Sequence, residues 1–291
     1  MSKALTFDTH PHLGDNIICT ACVRNIRLAY PELAFIHKNS EIVKNNNDFN
    51  QNATPSRNVG KVMYGSLDAE REGRFGTLVE AYTRHLCKLI GIPSVPIVQA
   101  VPVIVLDEEE IEESKKWNGK WLINANCQTC SISKAYPHWQ RVVNLLPDVK
   151  FVQIGGNEAR DISPNLQGVA DMRGKTSIRQ LFAMAYGCDG VISPSSAISN
   201  IAASFGKPQI VLNTSREPDA LTNYPNVVHI SHKCSCGWGV GNGCIHCRIG
   251  GAGMRNCKYY SIIKGMTYCK CQIETDPELV ASEIRKLMVA P

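Results

Sequence analysis

No stretch of this chain is apolar for long enough to span a membrane, and Met1 to His12 lacks the charged start and apolar core of an export leader. Both absences lead us to expect a cytoplasmic protein in a reducing compartment. Neither a Walker-type phosphate loop nor a GxGxxG fingerprint occurs, so the common ATPase and dinucleotide motifs have no support. No internal repeat stands out. Acidic residues are missing altogether between Ser231 and Cys271, where Lys233, Arg248, Arg255, Lys258, Lys264 and Lys270 are interleaved with Trp238, Tyr259, Tyr260 and Tyr268. Such a face could grip a polyanion, although most charged clusters are simply solvated surface.

The same segment is rich in cysteine. Seven of the 13 cysteines fall between Cys234 and Cys271. In a reducing compartment clustered thiols bind metal more often than they pair as disulfides. The two-residue spacer of Cys244-Ile245-His246-Cys247 lets two thiolates bite one ion from a tight turn, and Cys257 with either Cys269 or Cys271 could complete a tetrahedron. Cys234 and Cys236 form a second close pair able to replace the first. Zinc and iron both accept four thiolates, and spacing does not separate them. A closed site of this kind would be structural, because no coordination position stays open for a substrate.

At 291 residues the chain suits two domains of about 120 to 170 residues each. Its 44% hydrophobic and 20% charged content describes a globular protein, and a net charge of +5 is too mild to mark a nucleic-acid binder. Short apolar runs at Val101–Leu106, Trp121–Ala125, Phe151–Ile154, Gly190–Ile192 and Gln209–Leu212 predict buried strands of a parallel sheet covered on both faces. Helical periodicity is expected over Ile17–Leu28, Thr176–Tyr186 and Ile198–Phe205. A last helix begins where Asp276 can cap and Pro277 suits the first turn. The Asn-rich stretch Lys38–Arg57 reads as a long surface loop or a partly mobile segment, and Asp107–Gly119 as a crossover between two α/β domains.

Ligands of such sheets sit at the carboxyl ends of strands, so three strand-to-helix junctions draw attention. At His12-Leu13-Gly14-Asp15-Asn16, the carboxylate of Asp15 could take a proton from an acceptor hydroxyl, or serve as a plain helix cap. In the second junction, Asn124 to Trp139, Lys134 ahead of Tyr136-Pro137-His138-Trp139 could pair with phosphate or face solvent. Ser193-Pro194-Ser195-Ser196-Ala197 supplies hydroxyls and free amides at a helix start, either a phosphate or ribose cradle or an unliganded cap.

Taken together, Gly14-Asp15-Asn16-Ile17-Ile18, Arg27–Pro31, Asp171-Met172-Arg173-Gly174-Lys175-Thr176-Ser177-Ile178-Arg179, Cys188-Asp189-Gly190-Val191-Ile192, Ser195–Ala202 and Gly206-Lys207-Pro208 resemble the family-nine glycosyltransferases, the ADP-heptose heptosyltransferases. The resemblance covers most of the chain and is specific as an ensemble. Within the family, the branch that modifies bacterial autotransporter proteins carries a Ser-Ser-Gly-Leu-Ser-Trp-Leu-Ala stretch and a four-cysteine iron finger, which Ser195–Ala202 and the terminal cluster resemble. Cys271, six residues before Pro277, matches the last finger cysteine, giving Cys244, Cys247, Cys257 and Cys271 as the metal set. The chain departs in having Ser195 where the wider family has Asp, Ala197 where it has Gly, and Asn200 where it has His or Trp.

The resemblance implies an α/β fold of GT-B architecture with a small C-terminal cysteine module. Residues 1–118 would form the acceptor-binding Rossmann-like domain. Residues 119–291 would form the nucleotide-sugar-binding one, including a metal module at 231–271 and a final helix at 277–288. It further implies inverting transfer from a nucleotide-sugar donor, ADP-heptose or similar, to a hydroxyl on a protein or glycan. Asp15 would be the base, and Lys134 would face the leaving diphosphate. Glu158 would hold the ribose, and Thr176, Ser195, Ser196 and Ala197 would cradle the donor. Iron or zinc would be structural, and the chain could assemble as a homo-oligomer. A transferase acting on modified DNA bases, or a non-catalytic metal-finger protein that binds nucleic acid, would use the basic segment instead.

Overall fold

The computed structural model describes residues 3–9, 12–62, 77–128, 134–158, 161–213, 219–231, 260–263 and 266–289. Two parallel sheets organise them. The smaller contains β1 (Lys3–Asp8), β2 (Phe35–Ile36) and β3 (Thr54–Lys61) in the order β2-β1-β3. Helix α1 (Leu13–Ala29), the short α2 (Ser40–Val43) and α3 (Leu78–Ile90) belong to the same half, α1 packing on α3. Next come α4 (Glu108–Ser114) and a 3-10 turn at Lys115–Trp117, in the crossover expected between the sheets.

The larger sheet has six strands, all parallel: β4 (Lys120–Ile123), β6 (Lys150–Gln153), β8 (Ala170–Asp171), β9 (Gly190–Pro194), β10 (Gln209–Asn213) and β11 (Val227–Ser231). Their spatial order is β11-β10-β9-β4-β6-β8. Helices α5 (Trp139–Leu145), α6 (Ile178–Gly187), α7 (Ala197–Ser204), α8 (Lys270–Ile273) and α9 (Pro277–Val289) complete this half. Two short antiparallel pairs, β5 (Cys127–Gln128) with β7 (Asp161–Ile162) and β12 (Tyr260–Ile263) with β13 (Met266–Cys269), lie apart from it. No described helix is long and apolar enough to cross a membrane.

Period-two alternation explains why the large sheet is buried on both sides. Leu122, Val152 and Val191 join one core with α6 and α7, whereas their neighbours Trp121, Ile123, Phe151 and Ile192 join a second with Trp139 and Val142 of α5 and Val280 and Ile284 of α9. The first core does not stop at the sheet. It runs without a break into the other half, taking in Phe7, Ile17, Ile18, Val23, Phe35, Val79 and Leu86. Behind it, Arg179 of α6 is 6% exposed and pairs with Glu110 of α4, its Nε donating to Oε1 at 2.7 Å. The same guanidinium donates to the carbonyl oxygens of Val105 at 2.7 Å and Glu41 at 3.1 Å. At Gly187 a Cβ would fall 2.0 Å from the Ser114 carbonyl oxygen, so only glycine lets α6 and α4 come this close.

Most expected strands and helices of the C-terminal half are present within a few residues, and Asp276 caps the last helix by accepting from the Glu278 amide at 3.0 Å. Two expectations for the N-terminal half need correction. Val101–Leu106 is not a strand. It runs along α1, where the Val103 amide donates to Thr20 Oγ1 at 2.8 Å and the Val98 and Gln99 amides just ahead donate to Asn25 Oδ1, so side chains replace a ladder. Nor is Lys38–Arg57 a bare loop. It contains α2 and the start of β3, and it buries Ile42, Val43, Asn46, Asp48 and Phe49. Asn46 there donates to the Val103 carbonyl at 3.2 Å, and Asp48 pairs with Arg24 of α1.

Candidate active site

The large sheet winds outward from β4 in both directions. The chain goes β4 to β6 to β8 on one side, then returns to β9 and continues to β10 and β11 on the other. The order therefore reverses between β4 and β9, and a doubly wound sheet opens its ligand crevice beyond the carboxyl ends of such a pair. Asn124 follows β4, and Ser195 and Ser196 follow β9. Asn124 Nδ2 donates to Ser196 Oγ at 3.2 Å, and Lys134 Nζ donates to the Ser195 carbonyl oxygen at 2.7 Å. Ser196 is the N-cap residue of α7, but its hydroxyl makes no cap hydrogen bond to that helix. Lys134, Ser195, Ser196 and Ala197 thus come together at the switch point, with the amides of the α7 first turn beside a fixed ammonium group.

The facing wall is the start of α1. His12, not Asp15, is the N-cap residue, and Asp15 lies in the first turn, where Tyr82 of α3 donates its hydroxyl proton to the Asp15 carboxylate. A Cβ on Gly14 would stand 3.1 Å from Asn200 Nδ2 and 3.5 Å from Ala197 Cα, so the missing side chain lets the first turns of α1 and α7 touch. Asn200 bridges them. Its Nδ2 donates to the Gly14 carbonyl oxygen at 3.4 Å, and its Oδ1 accepts from the Tyr224 hydroxyl at 2.9 Å. Burial pushes the Tyr224 pKa far above its usual value, which keeps that hydroxyl a donor.

Glu158 and Thr176 occupy a second loop pair, beyond β6 and before α6. Glu158 is exposed, and its amide donates to Asp161 Oδ2 at 2.9 Å. Gly174 donates to the Gly155 carbonyl at 2.9 Å and lies so near Asn157 that a Cβ would sit 2.8 Å from it, which joins the Glu158 loop to the Thr176 loop. Arg173 braces this pair through Asp171, the carbonyls of Ser163 and Pro164, and Asn165 Oδ1. Its guanidinium lowers the Asp171 pKa to about 2. Thr176 directly precedes Ser177, which with Gln180 forms a capping box on α6.

Comparison with known proteins then decides the family. The model for glycosyltransferase family 9 (heptosyltransferase) matches residues 71–247, more than half of the chain. The chain belongs to glycosyltransferase family 9. As a family 9 protein it shares its fold with solved heptosyltransferases. It superposes on the ADP-heptose lipopolysaccharide heptosyltransferase II of E. coli with a TM-score of 0.65 at 12% identity, covering 98% of each chain. A family 9 glycosyltransferase of Veillonella parvula DSM 2008 gives 0.64 at 13% identity, over 99% of this chain and 97% of that one. The iron-containing dodecameric glycosyltransferase TibC from enterotoxigenic E. coli H10407 gives 0.63 at 15% identity, over 99% and 79%. A search of curated proteins finds no match. At these identities the likeness is one of fold: an α/β protein with parallel sheets, similar to the GT-B heptosyltransferases.

Of the four expected metal ligands, Cys244, Cys247 and Cys257 lie outside the described residues. Cys271 is described; it is buried in α8, and Cys269, two residues earlier, is buried as well. Cys19, Cys22, Cys87 and Cys188 are free thiols, and among the described residues no group of three or more His, Cys, Asp or Glu is placed to hold an ion. Sequence reasoning missed Tyr82 and Tyr224. Tyr82 reaches Asp15 across 67 positions, and no local pattern signals such a pairing. Asn124, by contrast, opens the second junction picked out by the carboxyl-end rule, though without a role of its own.

Proposed function

We propose that this protein transfers a sugar, a heptose or a close relative, from an ADP-linked donor to a hydroxyl acceptor with inversion. The observation that carries the proposal is the convergence at the switch point, where Lys134 is bonded to the Ser195 carbonyl ahead of α7 and the first turn of α1, which holds Asp15, touches α7 at Gly14. The family 9 match supports glycosyl transfer, and the TibC relative solved with ADP-D-β-D-heptose supports the donor class.

In this mechanism Asp15 takes the proton of the acceptor hydroxyl while the acceptor oxygen bonds to the anomeric carbon. The bond from that carbon to the diphosphate breaks on the opposite face, which inverts the centre. Lys134 and the amides beyond Ser195, Ser196 and Ala197 receive the growing negative charge on the diphosphate, an electrostatic role built before the reaction begins. Tyr82 orients the carboxylate of Asp15. Thr176, at the head of α6, and Glu158, as partner of the ribose hydroxyls, complete the donor site.

Residues 1–118 act as the acceptor domain and residues 119–291 as the donor domain. The cysteine module, with Cys244, Cys247, Cys257 and Cys271 around iron or zinc, is structural and follows the autotransporter branch. The acceptor belongs to a protein or glycan in the cytoplasm. Calorimetric titration with ADP and ADP-heptose tests the donor site: micromolar binding that Lys134→Ala weakens roughly 10- to 100-fold is expected for the loss of a charged hydrogen-bond partner worth about 1.5–3 kcal/mol. Equal affinity in the variant would remove Lys134 from the site, and no binding of either ligand would remove the donor assignment.

A further inference from the structure

Helix α1 packs on α7, and Ile17 and Ile18 of one and Ile198 and Ile201 of the other are buried in one continuous core. Asn200 supplies a polar link across this contact. It is 4% exposed, as is Tyr224, which belongs to the same core. A buried amide among aliphatic side chains costs free energy unless its polar atoms are met. Here the oxygen accepts the Tyr224 hydroxyl at 2.9 Å, and the nitrogen donates to the Gly14 carbonyl oxygen at 3.4 Å.

The two bonds act in series. Because the Tyr224 hydroxyl donates, it selects the oxygen end of the amide and turns the nitrogen toward α1. Aliphatic packing is non-directional and holds two helices together without fixing how far one slides along the other. A single buried polar pair inside an apolar contact does fix that register. The contact has little slack, since a Cβ on Gly14 would stand 3.1 Å from Asn200 Nδ2 and 3.5 Å from Ala197 Cα.

Both helix starts bear on the transfer chemistry. Asp15 is the residue after Gly14, and its carboxylate accepts from Tyr82 of α3. Ala197 opens α7, whose first amides belong to the donor cradle of the transferase reading. The first turn of α1 is thus held twice, by α3 through the Asp15 carboxylate and by α7 through the Gly14 carbonyl.

We propose that Asn200, oriented by Tyr224, is a positioning residue for the transfer: it pins the register of α1 on α7 and so sets where Asp15 stands relative to the head of α7. The inference rests on the transferase reading and adds to it a residue pair that acts through the backbone of Gly14.

The experiment follows ADP release from ADP-heptose by the full chain with water as acceptor. In that reaction the water oxygen bonds to the anomeric carbon, Asp15 takes a water proton and ADP departs. Calorimetry with ADP runs in parallel. The double variant Asn200→Leu with Tyr224→Phe removes both ends of the first bond, so no buried hydroxyl is left unmet and Tm should change little. Its kcat should fall roughly 10- to 100-fold, as for a reacting group misplaced by about 1 Å, while KM and ADP affinity stay within about twofold. Gly14→Ala reaches the same contact from the α1 side and favours the helix, so it serves if the double variant does not fold; kcat should fall about threefold or more with ADP affinity unchanged. Unchanged kcat, or kcat and ADP affinity falling in step, overturns the positioning role and leaves the transferase reading standing. A second readout needs no turnover. In the chain labelled with carbon-13 at its aspartate carboxyls, the Asp15 signal, assigned by its loss in Asp15→Asn, should move in either variant while that of Asp171 stays, and an unmoved Asp15 signal overturns the role. Failure of the unmodified chain to bind ADP strikes at the transferase reading itself; if it binds ADP and releases none from ADP-heptose, the carboxyl signal decides.

Discussion

The junction between the two sheets has a back and a front, and they are built from opposite materials. At the back, the hydrophobic core is continuous from α1 through α6 and α7, and Arg179 is buried with Glu110, its remaining donors satisfied by the Val105 and Glu41 carbonyls. At the front, Lys134, Asn124, Ser196 and Asn200 form a polar cluster at the start of α7, and Asn200 ties it to the first turn of α1, where Asp15 accepts from Tyr82. The back buries its ion pair within the fold, and the front gathers polar groups at two helix starts. A substitution at the back should therefore change stability, and one at the front should change chemistry.

The sharpest way to break that distinction is Asp15→Ala. Loss of a general base costs roughly 10²- to 10⁴-fold in turnover, while melting temperature and ADP affinity should stay near those of the unmodified chain. Weakened ADP binding with normal turnover would end the assignment of Asp15 as base. At the back, Arg179→Ala should lower unfolding free energy by about 3–5 kcal/mol, because Glu110 is left buried without its partner. Denaturant titration measures this, and the double variant Arg179→Met with Glu110→Leu should recover much of the loss. A smaller back-side effect is expected for Gly187→Ala, roughly 1–3 kcal/mol, since the new methyl must push α6 away from the Ser114 carbonyl. If it proves neutral, the two helices are not in the close contact described.

The smallest effect concerns the loop that carries Thr176. Asp171 has its pKa lowered from the usual carboxylate range to about 2 by the Arg173 guanidinium. Its contribution is thus fully present above about pH 4 and fades as pH falls toward 2. The carboxylate is partly exposed, so solvent screens the pair and the contribution is modest. Asp171→Asn should flatten the acid limb of a melting-temperature profile in that window and leave the value at pH 7 little changed.

Much of the C-terminal half was legible in the chain itself, because buried parallel strands such as Gly190–Pro194 and Gln209–Asn213 are continuous apolar runs. The N-terminal half was harder to read. Val101–Leu106 has the composition of a strand, yet Thr20 and Asn25 satisfy the backbone around it from α1. Lys38–Arg57 has the composition of a loop, yet Asp48 and Asn46 are buried because Arg24 and the Val103 carbonyl meet them there. Composition records what a residue prefers on average; these segments were decided by partners far away in sequence.

The candidate site divides along the same line. The sequence by itself determined the chemical parts: an aspartate in the first turn of a helix, a lysine before another helix, and paired serines after an apolar strand. These are local patterns, and local backbone physics fixes them. Only the tertiary structure decided that the strands on either side of the crevice, β4 and β9, are neighbours though Ile123 and Gly190 are 67 positions apart, and that Tyr82 holds Asp15. Such pairings depend on the order in which strands stack and on which faces the two cores bury, and that order is a property of the whole chain.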